Sequence, residues 1–171
     1  SLSSLVAAPG VLVADGILSA ALPGYVYEFS LSGTQALLMT HYGELDGAIV
    51  AADVADFRLA YPLNTQILSF SLPFYAALHF ATPVDNSLMR FARGFFILYV
   101  LLIIGLISVS LKNLMLGLGQ EFLLDSTAIE SSIAMMYQIS MLLVPPLAPV
   151  LVWAWQARKS PLLQQLILKT Q

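Results

Sequence analysis

The sequence predicts an integral membrane, mainly α protein: four transmembrane helices, with a small antiparallel β hairpin or three-stranded sheet outside the membrane. Three observations predict it. Of the 171 residues, 58% are hydrophobic and only 10% charged, whereas soluble domains average about 45–50% and about 25%. So few charges would leave a soluble fold with large exposed apolar patches. Four apolar stretches stand out, each near the roughly 20 residues a helix needs to cross about 30 Å of hydrocarbon. The charges, finally, segregate between alternate connections.

In chain order, residues 1–22 form the first expected span, "LSSLVAAPGVLVADGILSAAL", with Asp15 well inside it. Residues 23–60 differ in character. "YVYEFSLSG" is rich in aromatic and β-favouring residues and ends at a plausible Ser32-Gly33 turn; "TQALLMTHYG", a turn-like "GELDG" and "AIVAADVADFRLAY" follow. Val50, Ala52, Val54 and Ala55 break strict alternation, which allows a bulge. Two or three short antiparallel strands are expected, resting on the outer helix ends or on a partner because so small a sheet is not stable alone. The second span, 61–83, is the weakest, its short apolar run extended by "YPLNTQI" and interrupted by Pro73.

The third span, 91–118, contains "GFFILYVLLIIGLISVSL", the strongest signal in the chain. Gly105, Ser108 and "LMLGLG" give it small positions where another helix can approach closely. An extracytoplasmic loop, 119–131, leads to the fourth span, 132–156. There "MLLVPPLAP" places Pro145, Pro146 and Pro149 within one stretch, so this helix is expected to kink or break. The tail, 157–171, includes "SPLLQQLILKTQ", a pattern for an amphipathic interfacial helix. The chain opens at Ser1 without a methionine, so a preceding segment is expected.

Arg90 and Arg93 separate spans two and three, and Arg158, Lys159 and Lys169 follow span four. Glu28, Glu44, Asp46, Asp53, Asp56, Glu121, Asp125 and Glu130 fall on the other side, with Arg58 and Lys112 as the cations there. Short loops rich in Lys and Arg stay cytoplasmic, so both termini are expected inside. Trp153, Trp155, Tyr61 and Tyr99 lie near span ends, where aromatic belts form.

Chemistry-bearing motifs are scarce. The chain has no cysteine, hence no disulfide, thiolate ligand or cysteine nucleophile. No nucleophile elbow, phosphate-binding loop or dinucleotide glycine pattern is present. A net charge of −3 without a basic run excludes a nucleic-acid partner as the expectation. No enzyme activity, cofactor or metal is predicted. "HYGELD", with His41, Glu44 and Asp46, reads as a polar hairpin turn, since a zinc site wants three or four ligands with a supporting shell.

Two groups of residues deserve positions in the structure. Asp15 and His79 are the candidate intramembrane polar residues, because ionisable groups inside spans are rare and often functional. If they met, the carboxylate would hold the imidazole's tautomer and a small transporter or proton-conducting subunit would follow. Otherwise Asp15 bonds to a neighbouring helix and His79 caps near the interface. Tyr25, Tyr27, His41, Tyr42 and Arg58 are the candidate partner-facing residues, in an interval whose sheet edge offers strand addition to an extended peptide.

The order of features resembles a known family. "APGVLVADGILSAALPG" leads into a strand pair, then "LLMTHYG" and "VADFRLAYPLNTQILSFSLPFYAALHFATP", then two further apolar spans. This is similar to the small four-span membrane proteins associated with exosortase H, over roughly residues 8–118, at positions such as Pro23, Gly24, Thr40, Pro73, Ala77 and Pro83. The resemblance implies a bacterial inner-membrane protein that accompanies an enzyme processing C-terminal sorting tails. Exosortases resemble cysteine transpeptidases, and a chain without cysteine is not that enzyme. The implied role is a non-catalytic accessory subunit, with membrane lipid and an integral membrane protein as its partners.

Overall fold

The computed structural model describes residues 2–82, 86–122 and 127–158. Helix α1 spans Leu2–Ala21. Ala7, Val11, Ala14 and Leu18 recur at three- and four-residue intervals and are buried, while Leu12, Val13 and Ile17 on the opposite face are exposed. That spacing gives one packed stripe, which meets both strand β1 and helix α4. Pro23 stops the helix by disfavouring helical backbone before it, and the chain turns through Leu22–Tyr25 into the sheet.

The sheet has four strands: β1 (Val26–Ser32), β2 (Gln35–Leu45), β3 (Ala48–Ala51) and β4 (Phe57–Asn64). Strand β2 is central and antiparallel to all three others. Gly33, at φ 64°, opens the tight β1–β2 turn, and Asp46 and Gly47, at φ 51° and 80°, form the β2–β3 turn. Positive φ at both central residues is the geometry whose twist matches the flanking strands. Phe29, Leu38 and Tyr61 align across the sheet, as do Leu31, Ala36 and Leu63. Side chains opposite one another share a face, and this one is turned toward the helices.

Two bulges interrupt the ladders. One lies at Tyr27; in the other, Thr40, His41 and Tyr42 of β2 face the single residue Leu59 of β4. Thr40 is fully buried there. Its hydroxyl lies 3.1 Å from both Tyr42 O and Leu59 O and accepts the Tyr42 N–H at 3.3 Å, serving backbone groups that the bulge removes from regular pairing. Gly43 follows because a Cβ would lie 2.3 Å from Phe57 O. The anticipated two or three strands are therefore four, since residues 52–56 turn and separate β3 from β4.

The second expected span is corrected. Residues 61–83 do not form one helix: the chain completes β4, then makes α2 (Thr65–Ser69) and α3 (Ser71–Phe80). Asn64 starts α2 by accepting the Gln66 N–H at 2.9 Å, the role of an N-cap. Pro73 stands in the first turn of α3, where a missing N–H costs nothing. At 10 residues, α3 is only about 15 Å long.

Helix α4 (Ser87–Leu118) has 32 residues and is long and apolar enough to cross a membrane. Its glycines receive the segment before it. A Cβ on Gly117 would lie 2.0 Å from Tyr61 Oη, one on Gly105 2.7 Å from Leu68 Cδ2, and one on Gly94 2.0 Å from Tyr75 Oη. Gly94 and Gly105 are about three turns apart and share a face. The buried Tyr61 hydroxyl has no hydrogen-bond partner among the described residues.

The second helix of span length runs over Ala128–Ala157 as α5 (Thr127–Gln138), a π turn at Ile139–Leu143 and α6 (Val144–Ala157). The expected kink or break is this π turn. Pro145 and Pro146 have no N–H for the preceding turn, and Val144 N–H bonds to Ile139 O, one residue further back than in an α-helix. At the widened turn Ser140 Oγ donates to Ser108 Oγ at 3.2 Å.

Among the described residues two helices are candidate spans, not the four expected, with α1 and the broken α2–α3 packed beside them. The physical reason is that mean apolarity does not register backbone interruptions: the stretch holding Asn64 and Pro73 folds as the end of β4 and two short helices. Pro83, Asp125, Lys159, Lys169 and the tail helix expected after them lie outside the described residues.

Candidate partner-facing site

The outer face of the sheet gathers three of the five predicted partner-facing residues. The bulges that interrupt β1 and β2 carry Tyr27 and His41, and both are exposed. Their rings meet edge to face at 5.4 Å between centroids. From β4, Arg58 lays its guanidinium 3.8 Å from the centre of the Tyr27 ring, a cation–π contact. Val54, in the β3–β4 connection, and Phe57, the first residue of β4, are 61% and 57% exposed. Exposed aromatic rings with an arginine are the side-chain types enriched at protein interfaces.

The other two point elsewhere. Tyr25 and Tyr42 stack at 5.9 Å, and Tyr25 meets Phe122 edge to face at 5.1 Å. They join the sheet to the end of α4. Burial, then Tyr25, then Glu121 push the Tyr42 phenol above its ordinary range, so it is neutral there. The sheet edges are blunted against strand addition: β3 has four residues, β4 contains Pro62, and β1 is held by α1. These are the devices by which proteins protect edges.

Asp15 is what holds it. Half-buried, it accepts the Phe29 N–H at 2.7 Å, and Ser19 Oγ donates to the same oxygen at 3.4 Å. A carboxylate of α1 thus takes the edge donor of β1. His79 is elsewhere, 2% exposed in the last turn of α3. Its Nε2 lies 2.9 Å from Ser87 O and 3.1 Å from Ser87 Oγ, and Nδ1 lies 3.5 Å from Tyr75 Oη. A proton on Nε2 satisfies the Ser87 carbonyl and fixes the tautomer. The two residues do not meet.

Beside His79 is a network the sequence reading missed. Tyr75 Oη donates to Gln156 Oε1 at 2.9 Å, Gln156 Nε2 donates to Arg90 O at 3.0 Å, and Arg90 Nη1 donates to Gln156 O at 3.0 Å. It ties α3, the start of α4 and the end of α6 together. The available signal was Gln156 itself, the one amide in "VPPLAPVLVWAWQA". An apolar cavity of 480 Å³ between α1, α2–α3 and α4, lined by residues such as Phe70, Pro73, Phe91 and Phe95, has only Gln66 and Ser69 as polar lining groups. Among the described residues no three His, Asp or Glu side chains converge, so His41, Glu44 and Asp46 form no such cluster.

The charges mark the two ends of the molecule. Described acidic residues belong to the sheet, to its turns, to α1 beside β1, to the α4–α5 connection or to the first turn of α5, whereas Arg90, Arg93 and Arg158 stand at the opposite helix ends. Two helices long and apolar enough to cross a membrane, with an acidic sheet at one end and arginines at the other, agree with the class of membrane protein. The chain belongs to the family described as exosortase H-associated membrane protein, whose model it matches over residues 1–160. Comparison with curated proteins and with solved structures gave no match.

Proposed function

We propose that this protein is a non-catalytic accessory subunit of a bacterial inner-membrane complex that assists an exosortase-type protein-sorting enzyme. Its sheet lies on the extracytoplasmic side and meets the partner through its outer face. The observation that carries this reading is the exposed Tyr27–His41–Arg58 cluster, in a family described by its association with exosortase H. The arginine-rich end is cytoplasmic by the positive-inside rule. The face is preferred to an edge because the edges are held or blunted.

Gentle-detergent purification of the tagged chain, with mass spectrometry of what remains bound, tests the role. A stoichiometric integral membrane partner of the exosortase type is expected, and Tyr27→Ala with Arg58→Ala should deplete it at least tenfold without loss of the tagged chain. Recovery of the chain alone, or equal recovery of partner with the double variant, contradicts the reading.

A further inference from the structure

We propose that the end of the molecule opposite the sheet is a binding site for one anionic phospholipid. Arg90, Arg93, Trp155, Gln156 and Arg158 line a cavity of 210 Å³ where α4 begins and α6 ends. Its wall is built rather than incidental: Gln156 is buried and bonded to Tyr75 and to both the backbone and the guanidinium of Arg90. Arg93 and Arg158 are exposed, and the Arg158 guanidinium lies 5.8 Å from the Trp155 ring centre. Guanidinium groups match phosphate oxygens bidentately, and basic pockets between membrane helices hold acidic headgroups.

The second half of the ligand follows from what adjoins the cations. A cleft of 400 Å³ lined by Ala92, Arg93, Phe96, Ile97 and Trp155 shares Arg93 and Trp155 with the charged cavity. A further cleft of 390 Å³ shares Ala92 and Phe96 with that one and continues to Tyr99. From Arg93 to Tyr99 the track runs about 9 Å along α4. A free phosphate would use the cations alone; a phospholipid uses cations and track together. Charge complementarity excludes a zwitterionic headgroup as the preferred occupant. The site rests on α4 and α6 lying in the bilayer, and not on the protein partner, so partner capture and lipid binding fail independently.

The test is native mass spectrometry of the full chain in detergent, with equal phosphatidylglycerol and phosphatidylcholine added. Phosphatidylglycerol should be retained at least tenfold over phosphatidylcholine. Arg93→Gln with Arg158→Gln should remove that preference; both residues are exposed, so the fold is kept, and Arg90 is left in place because it bonds to Gln156. Arg58→Gln, a charge change at the sheet end, should leave retention unchanged. Ala92→Trp, which fills the track and spares the cations, should lower retention of the lipid but not binding of inorganic phosphate. Equal retention of the two lipids overturns the proposal, as does undiminished preference in the arginine double variant. Displacement by inorganic phosphate at lipid-equivalent concentrations also overturns it, by reducing the site to one for a free anion.

Discussion

At Gly94 the difference between hydrogen and methyl decides whether three helices close. A Cβ there would lie 2.0 Å from Tyr75 Oη and 2.9 Å from Gln156 Nε2, so Gly94→Ala must displace the network that joins α3, α4 and α6. Overpacking of this kind costs about 1–3 kcal/mol, and thermal unfolding in detergent should fall accordingly. Tyr75→Phe in the same chain should recover part of the loss, because it removes the nearest atom. Gly16, with nothing within 4 Å of its added Cβ, should tolerate alanine or gain about 0.5–1 kcal/mol as a helix-interior glycine. Asp15→Ala leaves the Phe29 N–H without its acceptor, at about 1–3 kcal/mol, and should speed hydrogen exchange at that amide. Asp15→Asn keeps an acceptor oxygen and should behave close to wild type, an outcome a proton carrier at this position would not give. The sequence singled out Asp15 by its rarity, but its partner is a backbone group on another element, which leaves no trace in side-chain chemistry.

At the scale of elements, legibility followed how local the determinant was. The β region was readable because aromatic strands and Asp46-Gly47 are local signals; the separation of β3 from β4 was not, since residues 52–56, which break alternation as a bulge would, form a turn instead. The 61–83 stretch misled because Asn64 and Pro73 are compatible with an apolar window yet act as start signals for two short helices. The proline run in the last helix was legible as a disturbance, though not as a π turn. That turn can be tested in a chain with no native cysteine. Ser108→Cys with Ser140→Cys should oxidise readily, their hydroxyls being 3.2 Å apart. Adding Pro145→Ala restores an N–H to the turn and should rotate Ser140 away, lowering the disulfide yield severalfold. An unchanged yield would show that the prolines do not set the turn.

Over the whole molecule, charge was the most legible property. Acidic residues at the sheet and arginines at the opposite helix ends follow the segregation read from the chain, even though two helices, and not four, are candidate spans among the described residues. Charge placement depends on which end of the molecule a loop occupies, and an even number of chain reversals preserves it whether or not each stretch is a full span. Of the residues named from the sequence as partner-facing, Tyr27, His41 and Arg58 come together, while Tyr25 and Tyr42 stack on each other beside Phe122. The account as a whole rests on that outer face meeting a membrane partner. The direct measurement places a photo-crosslinking amino acid at Tyr27 or, in a parallel chain, at Leu142, which is 69% exposed on the second long helix, in cells that also produce the exosortase. A crosslink to the exosortase from position 27 and none from 142 is the predicted result; a crosslink from 142 alone would contradict it.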